Sequence, residues 1–525
     1  MSGSSFAHFT GMVRAVAADG APVAAPTGAD GTGVGREAES RIVPVWRDCL
    51  FDVDTPVSAF AKLRREPFGF LLESAPAGGE TWARYTYLGT QPRAAWRFKS
   101  GVVEDWDSAR GWHNPRTPAD PLTDLDAIIS SPRPVDVPEL GAFWTGAVGY
   151  FGYDIVRLIE RLPNRKPARH EIPDALFILT RTMLIVDNLR AQVRIVVSVE
   201  VTTDDSEKVL RRKYDTAIRE IDEIQSGLAE PSRLGLLTLD ADTTPASGQS
   251  NMDRETFVRG VERIREYIRE GDCFQALLSR RIDLAATFSS GALYRALRVL
   301  NPSPYMYHLV LDGVELVGSS PELLVRLADN CVTLRPIAGT RPRGKTKEED
   351  IALSAELLAD PKERAEHIML VDLGRNDVGR VARFGTVKVT ELMAVEKYSH
   401  VLHIVSEVEG EVEGDLSAMD VFRATFPAGT MTGAPKVRAM EIIDEMETES
   451  RGPYAGAVGY IAAGGRRMDL AITIRTCVIA DGVASIQAGA GIVADSVAET
   501  EWEETESKAR ALLAAIGQLQ ASSGG

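Results

Sequence analysis

Two stretches of the chain each carry a Glu-x-x-Glu pair: Glu363 and Glu366, and Glu501 and Glu504. Carboxylates three residues apart share one helix face, and Lys508 extends the second stripe by another turn. Either pair alone reads as a solvated helix surface. If the two helices face one another, four carboxylates converge and a hard divalent cation must offset their repulsion. Mg²⁺ suits such a place, because it binds through a few carboxylates, waters and substrate oxygens.

Several other segments offer chemistry to an anion. In residues 335–344 a β-like stretch, Cys331–Leu334, runs into Gly339-Thr340, whose backbone N–H groups can face a small anionic ligand. Arg341 and Arg343 follow as two guanidinium forks with Pro342 between them; by itself the segment reads equally as a basic surface turn. Residues 425–436 read as a flexible, hydroxyl-rich loop containing Thr430, which opens a helix with Pro435 in its first turn. Such a helix start offers free N–H groups to a carboxylate, or is simply a structural cap. No GxxxxGK[ST] string is present, so nucleotide phosphate is not implied. Gly489-Ala490-Gly491 lets backbone approach a ligand closely, and Arg475 sits in an apolar strand pattern where it needs an anionic partner. His403 lies in a strand and reads as a satisfied core histidine; His367 and His400 read as surface residues.

These segments need a scaffold of more than one core. The chain has 525 residues, 44% of them hydrophobic and 26% charged, which is an ordinary globular composition. A net charge of −16 speaks against nucleic acid or an anionic membrane as the main partner, so an anionic substrate must be held by local groups. The four cysteines show no CxxC spacing and predict neither disulfides nor zinc. No apolar run suits a membrane helix and no signal peptide is evident, which predicts a cytoplasmic protein.

The pattern along the chain predicts a flexible extension over 1–42, an N-terminal domain over 43–227, a linker over 228–251 and a second domain over 252–518 that holds the chemistry. Phe68–Leu72 reads as a buried strand with a bulge at Gly69, and 194–201 as a half-buried strand. Residues 208–225 carry a helix stripe. Asp253 looks like the N-cap of a helix bearing Phe257, Val261, Ile264 and Ile268 on one face and stopped by Gly271.

Taken together, residues 253–513 resemble the chorismate-utilising enzymes, several motifs standing in the right order. From about Val43 the N-terminal half is similar to the corresponding region of the anthranilate synthase component I family. The resemblance implies an α+β fold: a two-domain chain with a large β-sandwich-like core of antiparallel sheets flanked by helices. It implies Mg²⁺ on Glu363, Glu366, Glu501 and Glu504, holding the ring carboxylate of chorismate. Gly339, Thr340, Tyr454, Arg475, Gly489, Ala490, Gly491 and Lys508 would bind substrate carboxylates. Glu322 would be the general acid at the departing C4 hydroxyl, and His403 and Thr430 match active-site positions.

Two positions discriminate within that family. Ala338 stands where aminodeoxychorismate synthases typically place a ring-attacking lysine, and Gln275 where isochorismate and salicylate synthases place a water-activating lysine. A carboxamide has no basic nitrogen. With neither lysine present, the resemblance implies ammonia as nucleophile and anthranilate and pyruvate as products. No cysteine sits in a glutaminase elbow, so glutamine-dependent activity implies a separate glutamine amidotransferase subunit (component II), in a heterotetramer; free ammonia should serve alone. Glu73-Ser74 and Pro304-Tyr305-Met306 resemble segments that bind tryptophan as a feedback inhibitor. The alternatives are an aminodeoxychorismate synthase component I and a non-catalytic tryptophan-binding regulatory or scaffold protein.

Overall fold

The computed structural model describes residues 3–19, 40–74, 84–163, 165–240, 242–398 and 401–523. Strands from both halves of the sequence interleave in two large, almost wholly antiparallel sheets. In the first, Phe68–Glu73 pairs with Tyr305–Leu311, Met306 lying opposite Glu73. In the second, Gly146–Phe151 pairs with Ala457–Ala462, Val458 lying opposite Tyr150. Residues 43–227 and 252–518 therefore each build one half of both sheets, and the two segments share their sheets instead of closing separate cores.

Burial follows from that arrangement. Phe68, Phe70, Leu309 and Leu316 from the first sheet pack with Val148, Tyr150, Val458 and Ala471 from the second, which makes the centre of the sandwich. Helices cover the outer faces. Glu207–Ala229, Ser290–Leu300 and Ala498–Ser523 bury Ile221, Leu297 and Leu512 against the first sheet. Pro121–Ser130, Pro361–Gly379 and Ala418–Thr425 bury Leu125, Val378 and Phe422 against the second. This is the α+β class with a sandwich-like core flanked by helices.

Local sequence explains the element ends. Asp253 accepts a hydrogen bond from Thr256 N at 2.7 Å and starts the helix Arg254–Glu270, and Gly271 stops it at φ 88°. The buried face of that helix carries Phe257, Val261 and Ile264. Strand Gln192–Thr202 and helix Glu207–Ala229 extend the two expected elements by a few residues at each end.

Three expectations need correction. The reading of 1–42 as flexible fails for Phe6–Asp19, which is a helix. Phe9 is 0% exposed, Phe6 packs edge-on against Tyr214, and Ser4 exchanges hydrogen bonds with Trp46. Its apolar spacing was masked by the Ala- and Gly-rich residues that follow; residues 20–39 lie outside those described. Gly69 is not a bulge, since its strand runs in continuous register on both sides. A β-carbon there would meet Phe60 Cε2 at 3.1 Å, so packing accounts for the glycine. The expected linker has no helix or strand over its described residues 230–240 and 242–248, yet it is strapped down: Ala246 N donates to Leu513 O at 2.9 Å and Asp240 N to Gln518 at 2.8 Å. Among the described residues no helix is long and apolar enough to cross a membrane, and all four cysteines are free thiols.

Candidate active site

The starts of the two acidic helices, one on each sheet, lie near one another: Lys362 Nζ stands 3.4 Å from Asp495 just ahead of the C-terminal helix. Asp360 caps the helix Pro361–Gly379 by accepting from Lys362 N and Glu363 N. That places Glu363 and Glu366 on one side of the helix start, Glu363 held by Arg341 at 3.0 Å and Glu366 reached by Gln275 Nε2 at 3.3 Å. On the C-terminal helix, Glu504 binds Lys508 Nζ at 2.6 Å, and Glu501 is buried. Burial raises the pKa of the Glu366 carboxyl, and the negative charges of Glu363 and Glu504 add to the rise. Glu501 rises too, through burial first and then through Glu504. The four carboxylates thus share one electrostatic neighbourhood. Among the described residues, however, no three His, Cys, Asp or Glu side chains stand close enough to form a closed metal cage. An open set of hard oxygen donors fits Mg²⁺, which keeps several waters and takes only one or two carboxylates directly.

Glu322 sits at the foot of strand Leu323–Ala328, buried. Its neighbours Pro321 and Leu323 line a cavity, described below, that Glu322 does not line. Burial pushes its pKa up to about 8, against the smaller lowering effects of Thr430, the Ile337 backbone and Lys508. Thr430, whose hydroxyl influences that carboxyl, has its Oγ1 buried without a hydrogen-bond partner among the described residues. A carboxylic acid that keeps its proton at neutral pH is equipped to give it away.

Across the edge strands, Ile337–Pro342 pairs with Val401–Glu411, and the register slips between Ala338 and Thr340. Gly339 is the extra residue of this β-bulge, at φ 67°. Its carbonyl accepts from His403 Nδ1 at 2.9 Å, and Thr340 Oγ1 lies 3.2 Å from the same nitrogen. With Nδ1 donating, Nε2 is left as the acceptor. Burial lowers the pKa of His403, and the charges of Arg475 and Lys508 lower it further, so the ring is neutral at pH 7.

Arg475 adopts φ 51°, a left-handed conformation uncommon outside glycine, asparagine and aspartate, which marks a locally strained position. Its guanidinium makes no salt bridge with any described carboxylate, burial lowers its pKa, and Tyr454 and Glu504 are its nearest acidic influences. Tyr454 itself is buried beneath Arg451. Gly489, Ala490 and Gly491 lie in strand Val483–Ile492 opposite Ser279, Leu278 and Leu277. Both glycines have a packing reason. A β-carbon on Gly489 would stand 2.7 Å from Leu277 Cδ2, and one on Gly491 2.3 Å from Gln275 Nε2. Lys508 Nζ donates to the Gly489 carbonyl at 2.9 Å, tying this strand to the second acidic helix.

Other readings of the sequence change here. The two guanidinium forks serve the protein: Arg341 binds Glu356, Asp360 and Glu363, and Arg343 binds Asp350 and the Tyr398 carbonyl. The loop 425–436 is packed, not flexible, with Met431 and Thr432 buried and Gly433-Ala434 paired to Gln275-Ala276. Pro435 is the cap residue of helix Lys436–Met446, one place before its first turn. His367 is fully buried, 2.7 Å from Ser406 Oγ, with its pKa pushed down to about 4 by burial. It shares the acidic stretch with Glu366 but faces the sheet, which a charged neighbourhood in sequence could not reveal. His400 lies outside the described residues.

Beside Glu322 lies a cavity of about 290 Å³. Glu73, Ser74, Pro304, Tyr305 and Met306, singled out from two distant sequence segments, all line it. Tyr294 donates to Glu73 at 2.5 Å and Arg298 lies 3.1 Å from it. Sequence reasoning missed the cavity's half-buried ion pair, Arg326 with Asp469 at 2.9 Å, although an Arg and an Asp inside apolar strands were the available signal. Arg326 also donates to the Tyr305 hydroxyl at 3.1 Å, and Asp469 Oδ1 has no protein partner.

Comparison with known proteins adds an independent line. The family described as chorismate binding enzyme matches residues 77–514. The chain is 44% identical over 482 residues to the anthranilate synthase component 1 of Acetivibrio thermocellus, covering 90% of this chain and 95% of that one. It is 46% identical over 488 residues to the same component of Acinetobacter calcoaceticus, again covering 90% and 95%. The crystal structure of anthranilate synthase component I from Streptococcus pneumoniae TIGR4 superposes with a TM-score of 0.72 at 35% identity, covering 92% of this chain and 100% of that one.

Proposed function

The chain belongs to the chorismate-binding enzymes, in the anthranilate synthase component 1 family, and from that premise we propose that it converts chorismate and ammonia into anthranilate and pyruvate. The observation that carries the reading is a pairing of opposites. Glu322 is a buried acid that holds its proton at neutral pH, while Ala338 and Gln275 leave no basic nitrogen of the protein at the two discriminating positions. The nucleophile then comes from solution or from a partner.

Chorismate carries two carboxylates, and Arg475 is a half-buried cation that makes no salt bridge with a described carboxylate. Arg475, Tyr454 and the Gly339-Thr340 edge would hold one carboxylate; Glu363, Glu366, Glu501 and Glu504 would hold Mg²⁺ for the other. When bound, that ion neutralises the carboxylate cluster and orients the ring carboxylate. Ammonia forms a bond to C2 as both ring double bonds shift, C1=C2 to C1=C6 and C5=C6 to C4=C5, and the C4–O bond breaks. Glu322 delivers its proton to the departing hydroxyl, which leaves as water. The aminated intermediate, 2-amino-4-deoxyisochorismate, then loses a proton from C2 as the bond to the enolpyruvyl oxygen breaks, giving anthranilate and pyruvate. We assign that second proton transfer to His403, whose Nδ1 donates to the Gly339 carbonyl and leaves Nε2 as the acceptor.

Glutamine-dependent turnover needs an amidotransferase subunit, because none of the four cysteines lies in a glutaminase elbow. The cavity beside Glu322 is assigned to tryptophan as effector, supported by its aromatic and zwitterion-matching lining. Turnover with ¹⁵N-labelled ammonium tests the reaction: labelled anthranilate with equimolar pyruvate supports it. Labelled aminodeoxychorismate without pyruvate would replace it with the aminodeoxychorismate reading.

A further inference from the structure

The cavity and the candidate active site share more than a wall. Glu396 lines the cavity, and its two oxygens are divided between two partners. One accepts from Arg335, which also lines the cavity; the other accepts from the Tyr398 hydroxyl at 3.0 Å. Tyr398 is buried, and its ring meets that of His403 edge-on, centroids 5.2 Å apart. His403 in turn holds the Gly339 carbonyl and lies against Thr340. Arg343 holds the Tyr398 backbone through its carbonyl at 2.6 Å.

We propose that Tyr398 is a positioning residue that ties His403 and the Gly339 bulge to the occupancy of the cavity through Glu396. This rests on the reading of the cavity as an effector site. An α-amino acid in the cavity brings an ammonium and a carboxylate, and both compete for the Arg335–Glu396 pair. Whichever partner the ligand takes, Glu396 re-divides its two oxygens, and its bond to Tyr398 is the one that changes. Loss of that bond frees the Tyr398 ring to turn, and with it the face that holds the His403 imidazole. The reverse also holds: substrate that fixes the Gly339-Thr340 edge fixes Tyr398 and resists the ligand, since coupling between two sites is reciprocal.

The test is a coupling factor, the tryptophan Kd with saturating chorismate divided by the Kd without it, measured calorimetrically with Mg²⁺ and no ammonia. For the unaltered chain a factor of roughly 5 or more is expected. Tyr398→Phe keeps the ring and removes the hydroxyl, and its factor falls to about 1 while tryptophan still binds without chorismate. Glu396→Gln is the second variant: it keeps an acceptor for Tyr398, gives up the charge on Arg335, and also lowers the factor. Retention of the full factor in both variants overturns the relay alone. Failure of tryptophan to bind the unaltered chain overturns the effector reading of the cavity, and the relay with it.

Discussion

A β-carbon on Gly339 would stand 3.0 Å from Glu363 Oε2. The bulge that offers its carbonyl to His403 is therefore also the surface against which the first acidic helix rests a metal-binding candidate. Gly339 combines that close approach with φ 67°, which side chains rarely tolerate. Gly339→Ala is expected to lower kcat/KM by at least roughly tenfold, about 1.4 kcal/mol at the transition state, with an unchanged circular dichroism spectrum. Unchanged kcat/KM would mean that the bulge does not set the position of Glu363.

The pH dependence follows from Glu322. Its pKa is pushed up to about 8, so the proton is present at neutral pH and is lost as pH rises through that value. With free ammonia held saturating, kcat is expected to fall above about pH 8. Glu322→Gln is expected to lower kcat by roughly 10²- to 10⁴-fold while calorimetry still detects chorismate binding. A variant with full turnover would remove Glu322 from the proton-transfer step.

Arg475 separates binding from stability. No carboxylate among the described residues pairs with it, so Arg475→Gln leaves none of them unpaired and is not expected to lower the melting temperature. The substrate loses a charge-assisted contact of about 1.5–3 kcal/mol, and the KM for chorismate should rise roughly 10- to 150-fold. The opposite pattern, a lowered melting temperature with an unchanged KM, would assign the guanidinium to the fold.

How much was legible depended on whether an interaction is local. The Asp253 cap, the Gly271 stop and the Glu-x-x-Glu spacing are set within a few residues, and the helices followed from them. Glu73 and Met306 were marked by separate segments more than two hundred residues apart in order, yet nothing in either segment states that they are register partners on adjacent strands. That fact belongs to the sheet order, which no local pattern encodes. His367 and the Arg326–Asp469 pair were missed or misread for the same reason: what surrounds them is decided by which face the tertiary structure covers. Arg341 and Arg343 looked like ligand forks because the acids that hold them, Asp350 and Asp360 among them, come later in the chain and fold back.

The N-terminal helix offers a test independent of catalysis. Phe9 is fully buried in the cluster that also holds Val45, Val197 and Ala217. Phe9→Ala is expected to cost about 3–5 kcal/mol in urea unfolding at equilibrium. A change within experimental error would show that the helix is not docked in solution.

The central claim is most directly tested by fluorescence of the purified chain with chorismate, Mg²⁺ and an ammonium salt at mildly alkaline pH, with no partner protein. The account predicts anthranilate fluorescence that grows with time and is abolished by a chelator. Consumption of chorismate without anthranilate, or no consumption even after the amidotransferase subunit is supplied, would contradict it.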